Sequence, residues 1–273
     1  MICQVNGAPA YAYTGGKTFD PARPTIVFLH GAQNDHSVWG LQSRYFAWHG
    51  WNVLAPDLPG HGLSGGQALS TVEAMADWLL ALLDAAGARQ AMLVGHSMGS
   101  LIALEAAHRA PERVRGLAML GTTWPMKVSD TLLAASKDAL QSAIDMVNIW
   151  SHSGPLPKPA SPAPGMLVTG LSRRLMQRMA ERNPAPLFHI DFSACNAYAN
   201  GGAAAAAVAC PTLFVLGARD VMTPPRSAQA LTAAIGHGKI VTVDAGHAMM
   251  AEQPDAVLDA LIVFAQGDLE WPP

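Results

Sequence analysis

The chain has 273 residues, half of them apolar, with 14% charged and a formal net charge of −3. A charged fraction well under the usual roughly one quarter, with no cationic run longer than Arg173–Arg174, excludes a nucleic-acid track and makes a polyanionic partner unexpected. Three dispersed cysteines (Cys3, Cys195, Cys210) match neither zinc nor CxxC spacing, and the expectation is free thiols in a reducing compartment, with no metal.

The N-terminus lacks a cationic segment followed by an apolar run, and no stretch of about 18 apolar residues occurs. A soluble cytoplasmic protein with no membrane partner is expected. The scarcity of surface charge leaves room for an apolar pocket or a homo-oligomeric contact, although an alanine-rich core explains it as simply.

In chain order, Ile2–Val5 and Ala10–Thr14 flank a turn and read as a hairpin. TIVFLH (Thr25–His30) is a short β-branched run ending at Gly31, the pattern of a buried parallel strand. A helix fits Leu41–His49. A second strand, NVLAP (Asn52–Pro56), runs into the Gly/Pro loop Asp57–Gly66. Ser70 with Glu73 predicts a capped helix that Gly87 stops. Strand Ala91–Gly95, helix Leu101–Arg109 and strand Val114–Leu120 follow. The alternation implies a mostly parallel central sheet with helices on both faces, an α/β fold.

After Gly121 the alternation breaks. Helical stretches fall near Ser129–Trp150, Leu171–Arg182 and Leu187–Ala199, with the proline-rich Gly154–Gly165 between the first two. Alternation resumes at Pro211–Gly217, then a helix after Pro224–Pro225, a strand at Lys239–Val243 and a last helix from Pro254 to about Gln266. The expected organisation is a core of residues 1–121 and 209–273 with a helical insertion over 122–208, whose ends should lie close together.

GHSMG (Gly95–Gly99) fits the G-x-S-x-G elbow. A serine on so tight a strand-to-helix turn presents its hydroxyl over the sheet edge, and the flanking glycines are needed where a Cβ would collide. The helix start behind Ser97 favours a developing oxyanion, with the Met98 amide as one donor. A serine hydroxyl needs a base, and the chain order of the pattern is Ser, acid, His. Asp220 follows the strand Pro211–Gly217, and His247 follows Lys239–Val243. Both emerge at the carboxyl edge where Ser97 lies. Asp57 and Asp244 compete less well, being in an earlier loop and in the histidine's own loop. His30 and His61 read as structural, His96 as pointing away from its neighbour, and His36, His152 and His189 as lacking a strand end behind them.

LHGAQNDHSVW, APDLPGHGLS, VGHSMGS, LGARDVMTP and DAGHAMMAEQP, in that order, resemble the α/β-hydrolase superfamily over roughly residues 24–121 and 209–266. The resemblance implies that the insertion is a cap and that the amide of Ala32, after His30–Gly31, is the second oxyanion donor. The loop departs from HGGG-type lipases and from the Gly/Pro-rich loop of carbon–carbon-bond hydrolases, and Ser97 departs from relatives with an Asp nucleophile. The expected function is carboxylic-ester hydrolysis of a small, apolar substrate without a cofactor. Cleavage of a carbon–carbon bond, lactone or thioester is the alternative, and a non-catalytic ligand receptor a third. Candidate pocket residues are Gln33, Trp39, Trp124, Trp150, Phe188, Phe192, Met222 and Met249. Met and Trp at element ends also commonly pack cores.

Overall fold

In the computed structural model, which describes residues 1–154, 168–183 and 185–267, the short apolar runs assemble into one eight-stranded sheet. Its strands are β1 (Ile2–Val5), β2 (Ala8–Tyr13), β3 (Thr25–Leu29), β4 (Asn52–Pro56), β5 (Ala91–His96), β6 (Val114–Leu120), β7 (Thr212–Gly217) and β8 (Lys239–Val243), in the order β1-β2-β4-β3-β5-β6-β7-β8. The first two strands are antiparallel to their neighbours, and every later pair is parallel. Strands β3, β4, β5 and β7 are buried at every residue. Such continuous apolar runs are what a sheet covered on both faces requires.

One face of the sheet is covered by α2 (Val72–Ala86) and α3 (Met98–Arg109), with α9 (Gln229–Ile235) beside them. The other is covered by α1 (Gly40–Trp48) and α11 (Pro254–Gly267), whose Leu261 and Phe264 pack with Phe28 and Val215. Helix α2 ends at Gly87 in the left-handed conformation (φ 74°), as its sequence predicts. Its cap is Thr71 and not Ser70: Thr71 is extended and its hydroxyl accepts from the Ala74 amide. Glu73 therefore sits one position closer to the helix start than a capping box would place it.

Between β6 and β7 lie α4 (Asp130–Asp138), α5 (Leu140–Ser151), α6 (Val168–Arg182), α7 (Leu187–Ala197) and α8 (Gly201–Ala207). The single helix expected over 129–150 is two, broken at Ala139 (φ −144°). No Gly or Pro marks the break. It arises because α4 packs on α7 while α5 packs on α6, so the two segments must diverge. The expected meeting of the insertion's ends does not occur. Thr122 follows the carboxyl end of β6, whereas Val208 precedes the amino end of β7, where Leu117 donates to the Pro211 carbonyl. Helix α8 carries the chain back along the sheet and packs on α3. Most of the proline-rich Gly154–Gly165 lies outside the described residues. Among the described residues, no helix is long and apolar enough to cross a membrane.

Backbone packs closely on backbone at the carboxyl end of β5. A Cβ on Gly95 would sit 2.1 Å from the Gly99 carbonyl oxygen, and one on Gly99 would sit 2.4 Å from that of Leu29. Both neighbours are backbone and cannot yield. Gly99→Ala is expected to lower stability by about 3 kcal/mol or more, read from urea unfolding. A loss under about 1 kcal/mol would show that α3 can shift away from β3.

Candidate active site

The turn from β5 into α3 holds Ser97 at φ 54° and ψ −121°, a left-handed conformation that a side chain disfavours. The Ser97 amide donates to the Leu120 carbonyl across the sheet, and Ser100 Oγ donates to the Ser97 carbonyl. The strained turn is thus fixed from both sides. Gly95 and Gly99, on either side of it, give the helix room to start directly behind the serine.

Asp220 and His247 come from the ends of β7 and β8 and are buried together. His247 Nδ1 lies 2.7 Å from Asp220 Oδ2. The same carboxylate accepts from the Met222 and Thr223 amides through Oδ1 and from Thr223 Oγ through Oδ2. Burial raises the Asp220 carboxyl, but the His247 ring and the Thr223 hydrogen bonds outweigh it and hold the group below the usual carboxylate range. With Nδ1 committed to Asp220, the Nε2 side of the ring is left for the cavity that Ser97 and His247 both line. Among the described residues no hydrogen bond joins Ser97 Oγ to His247. Such bonds commonly tighten only when substrate binds. Gly121 (φ 53°) gives the ring its space: a Cβ there would be 3.1 Å from His247 Nδ1.

The loop after β3 is organised by one histidine. His30 Nε2 accepts from the Leu58 amide, which places the proton on Nδ1, 2.9 Å from the Gly31 carbonyl. Burial and the neighbouring His61 push His30 down to about 4, consistent with this neutral form. Asn34 also donates to the Gly31 carbonyl. Because a trans peptide directs its N–H opposite its C=O, the Ala32 amide is turned away from these partners, and Ala32 lines the cavity. Neither the Ala32 nor the Met98 amide has a protein acceptor among the described residues.

The cavity holds about 770 Å³, bounded by Ala32, His96, Ser97, Val147, Leu175, Met176, Phe188, Phe192, Met222 and His247. Of the pocket candidates, Phe188, Phe192 and Met222 line it. The other five do not. Trp39 and Met249 are buried in the core beside β3 and β8. Trp124 lies against Gly201 and Gly202, with its indole N–H donating to Tyr198. Trp150 packs among the inserted helices. Gln33 is buried, and its side-chain amide donates to the Met176 carbonyl. Apolar size at an element's end is as useful to a core as to a pocket, so composition could not separate the two. Asp57, the competing carboxylate, is engaged by His36 and by the Leu63 amide. His152 and His189 bond within the insertion.

The sequence pattern of the Alpha/beta hydrolase family matches residues 26–260. The chain belongs to that family. Among its relatives, the α/β hydrolase is 28% identical over 247 residues to the pimeloyl-[acyl-carrier protein] methyl ester esterase of Chromobacterium violaceum, a match covering 85% of this chain and 86% of the relative. It is 33% identical over 134 residues to the dihydrolipoyllysine-residue acetyltransferase component of the acetoin cleaving system of Cupriavidus necator, a match that spans 49% of this chain but only 33% of that protein. The fold is similar to that of the enol-lactonase from Burkholderia xenovorans (TM-score 0.81, 22% identity, 97% of this chain and 99% of that one).

Three residues of this α/β hydrolase's site escaped sequence reading. Thr223 Oγ lies 3.1 Å from His247 Nδ1 as well as bonding Asp220, and its spacing of three from an aspartate in a turn was the available signal. His96 Nε2 donates to the His247 carbonyl at 2.8 Å. Glu252 accepts from the Gly246 amide and from the Ser153 amide, tying the histidine loop to the insertion. Neither of the last two has a local signature.

A carboxyl whose folded pKa is depressed contributes stability that is complete above its ordinary value, near pH 4, and lost as pH falls through the folded value. Asp220→Asn cannot ionise. The melting-temperature gap between native protein and this variant should therefore narrow below about pH 4. A gap unchanged down to about pH 2 would show that the carboxylate adds nothing through its charge.

Proposed function

We propose that the protein is a serine hydrolase that cleaves carboxylic esters through an acyl-enzyme on Ser97. The observation that carries this reading is Ser97 held in a disfavoured backbone conformation at the wall of the cavity that also receives the ring of the Asp220–His247 pair. In the reaction, Ser97 Oγ attacks the ester carbonyl carbon while His247 Nε2 takes its proton. Asp220 holds the ring in the tautomer with Nδ1 protonated and stabilises the imidazolium. The tetrahedral oxygen is received by the amides of Ala32 and Met98, neither of which has another acceptor among the described residues. Collapse expels the alcohol, protonated by His247, and a water molecule repeats the sequence on the acyl-enzyme. The chemistry uses the chain's own side chains and calls for no cofactor.

The acyl or alcohol portion lies against Val147, Leu175, Phe188, Phe192 and Met222, contributed mainly by α5, α6 and α7. These helices act as the cap within residues 122–208, and their apolar faces favour a small or medium hydrophobic ester. The esterase relative that spans most of this chain supports ester hydrolysis.

Ser97→Ala is expected to lower turnover of a p-nitrophenyl ester by about five to six powers of ten, and a fluorophosphonate should label Ser97 in the native protein only. A fall under tenfold in a folded variant would reject the nucleophile. A series of esters graded by chain length, run beside thioesters and lactones, should give highest kcat/KM on an ester. Faster turnover of a lactone or thioester would assign the other bond to the same triad.

A further inference from the structure

Asp191 is buried completely, on α7, far in sequence from any residue of the proposed triad. Its Oδ2 accepts from the Gln33 backbone amide at 2.9 Å and lies 3.0 Å from His61 Nε2. Gln33 follows Ala32 and sits at φ 56°, a left-handed conformation that costs a non-glycine residue about 1–2 kcal/mol. The loop does not hold this conformation by itself. Besides His30 on the Gly31 carbonyl and the turn from Gly31 to Asn34, its restraints come from the inserted helices: Asp191 on the Gln33 amide, and the Met176 carbonyl of α6 on the Gln33 side chain.

The other oxygen, Asp191 Oδ1, is buried without a hydrogen-bond partner among the described residues. A carboxylate with an idle buried oxygen is a poor device for stability alone, since apolar side chains of similar volume commonly serve packing as well or better. His61 complements it: Nε2 faces Asp191 and Nδ1 faces the Pro59 carbonyl at 3.1 Å, so both ring nitrogens meet acceptors. The acceptor at Oδ2 is therefore held firmly, and directed at one peptide of the loop.

We propose that Asp191 is a positioning residue for the oxyanion hole: by fixing the Ala32–Gln33 peptide from helix α7, it aligns the Ala32 amide, so that the hole is complete only while α7 is docked on the loop. The proposal rests on the reading of Ser97 as nucleophile and Ala32 as oxyanion donor. Each side of the Ala32 residue is then governed by a different part of the fold. His30 sets the peptide that precedes it, from within the sheet domain, and Asp191 sets the peptide that follows it, from the insertion. Docking of α7 thereby affects the rate of the chemical step as well as access to the cavity.

The test compares native protein with Asp191→Ala, Asp191→Leu and Asp191→Asn. Leu fills the carboxylate's space without an acceptor, should Ala leave too large a hole for folding. Asn keeps an oxygen that can accept from Gln33. Loss of the acceptor should lower kcat on a p-nitrophenyl ester by roughly 10- to 100-fold, less than the roughly 100- to 1000-fold of removing an oxyanion donor outright, with KM changed less than about threefold. The second-order rate of fluorophosphonate labelling at Ser97 should fall in parallel, and Asn should recover most of both. Folding of each variant is checked by thermal melting. Folded Ala or Leu variants labelled at the native rate with native kcat would overturn the proposal, as would a loss confined to KM or one that Asn fails to recover. If the native protein is not labelled at Ser97, the underlying reading fails instead, and the two results are distinct.

Discussion

The close approach of α3 to strands β3 and β5 is the constraint on which the rest of the site depends. Helix α3 begins immediately behind Ser97, and Gly95 and Gly99 meet backbone atoms at distances no Cβ could occupy. This contact forces the serine into its left-handed conformation and exposes the Met98 amide at the start of a twelve-residue helix, where helix geometry leaves amides without internal partners. It also brings β3 near enough for the loop after His30 to reach the serine: a Cβ on Gly31 would lie 3.2 Å from that of Ser97. One packing contact thus brings the serine and both proposed oxyanion donors together.

The histidines around this contact differ in role because their partners differ. His30 is a neutral ring that accepts on one side and donates on the other, and its donation to Gly31 turns the Ala32 amide outward. His96 is buried and pushed down to about 3 by burial and by the His247 ring beside it, and it anchors the backbone of His247. For His61, burial lowers the affinity for a proton, but Asp191 outweighs it and holds the ring above its ordinary range. Four histidines within one region thus occupy four electrostatic environments. Of these four, His247 alone combines a buried carboxylate at Nδ1 with an open cavity on its other side.

The inserted helices do more than roof the cavity. Glu252 couples the Gly246 amide to Ser153 at the end of α5, and the Ala248 amide donates to the Ser151 carbonyl. Asp191 and Met176 hold Gln33. Both loops of the proposed site, the one carrying His247 and the one carrying Ala32, are therefore braced from the same insertion. Rigid support of this kind is what electrostatic stabilisation of a transition state demands, since the donors must already be in place when charge develops.

The sheet, its parallel order and the positions of Ser97, Asp220 and His247 were legible in the chain itself. Continuous β-branched runs ending in glycine announce buried parallel strands, and the gathering of these three residues at one edge follows from their places at the carboxyl ends of such strands. What only the tertiary structure decided are interactions between residues distant in sequence. Trp39 and Met249 became core rather than pocket, α4 and α5 separated at Ala139 without a Gly or Pro to signal it, and Asp191, His96 and Glu252 acquired their partners. Local sequence encodes backbone propensity and periodicity. It does not encode which apolar side chain faces a cavity or which buried carboxylate meets a loop more than a hundred residues away, because those are settled by how whole elements pack.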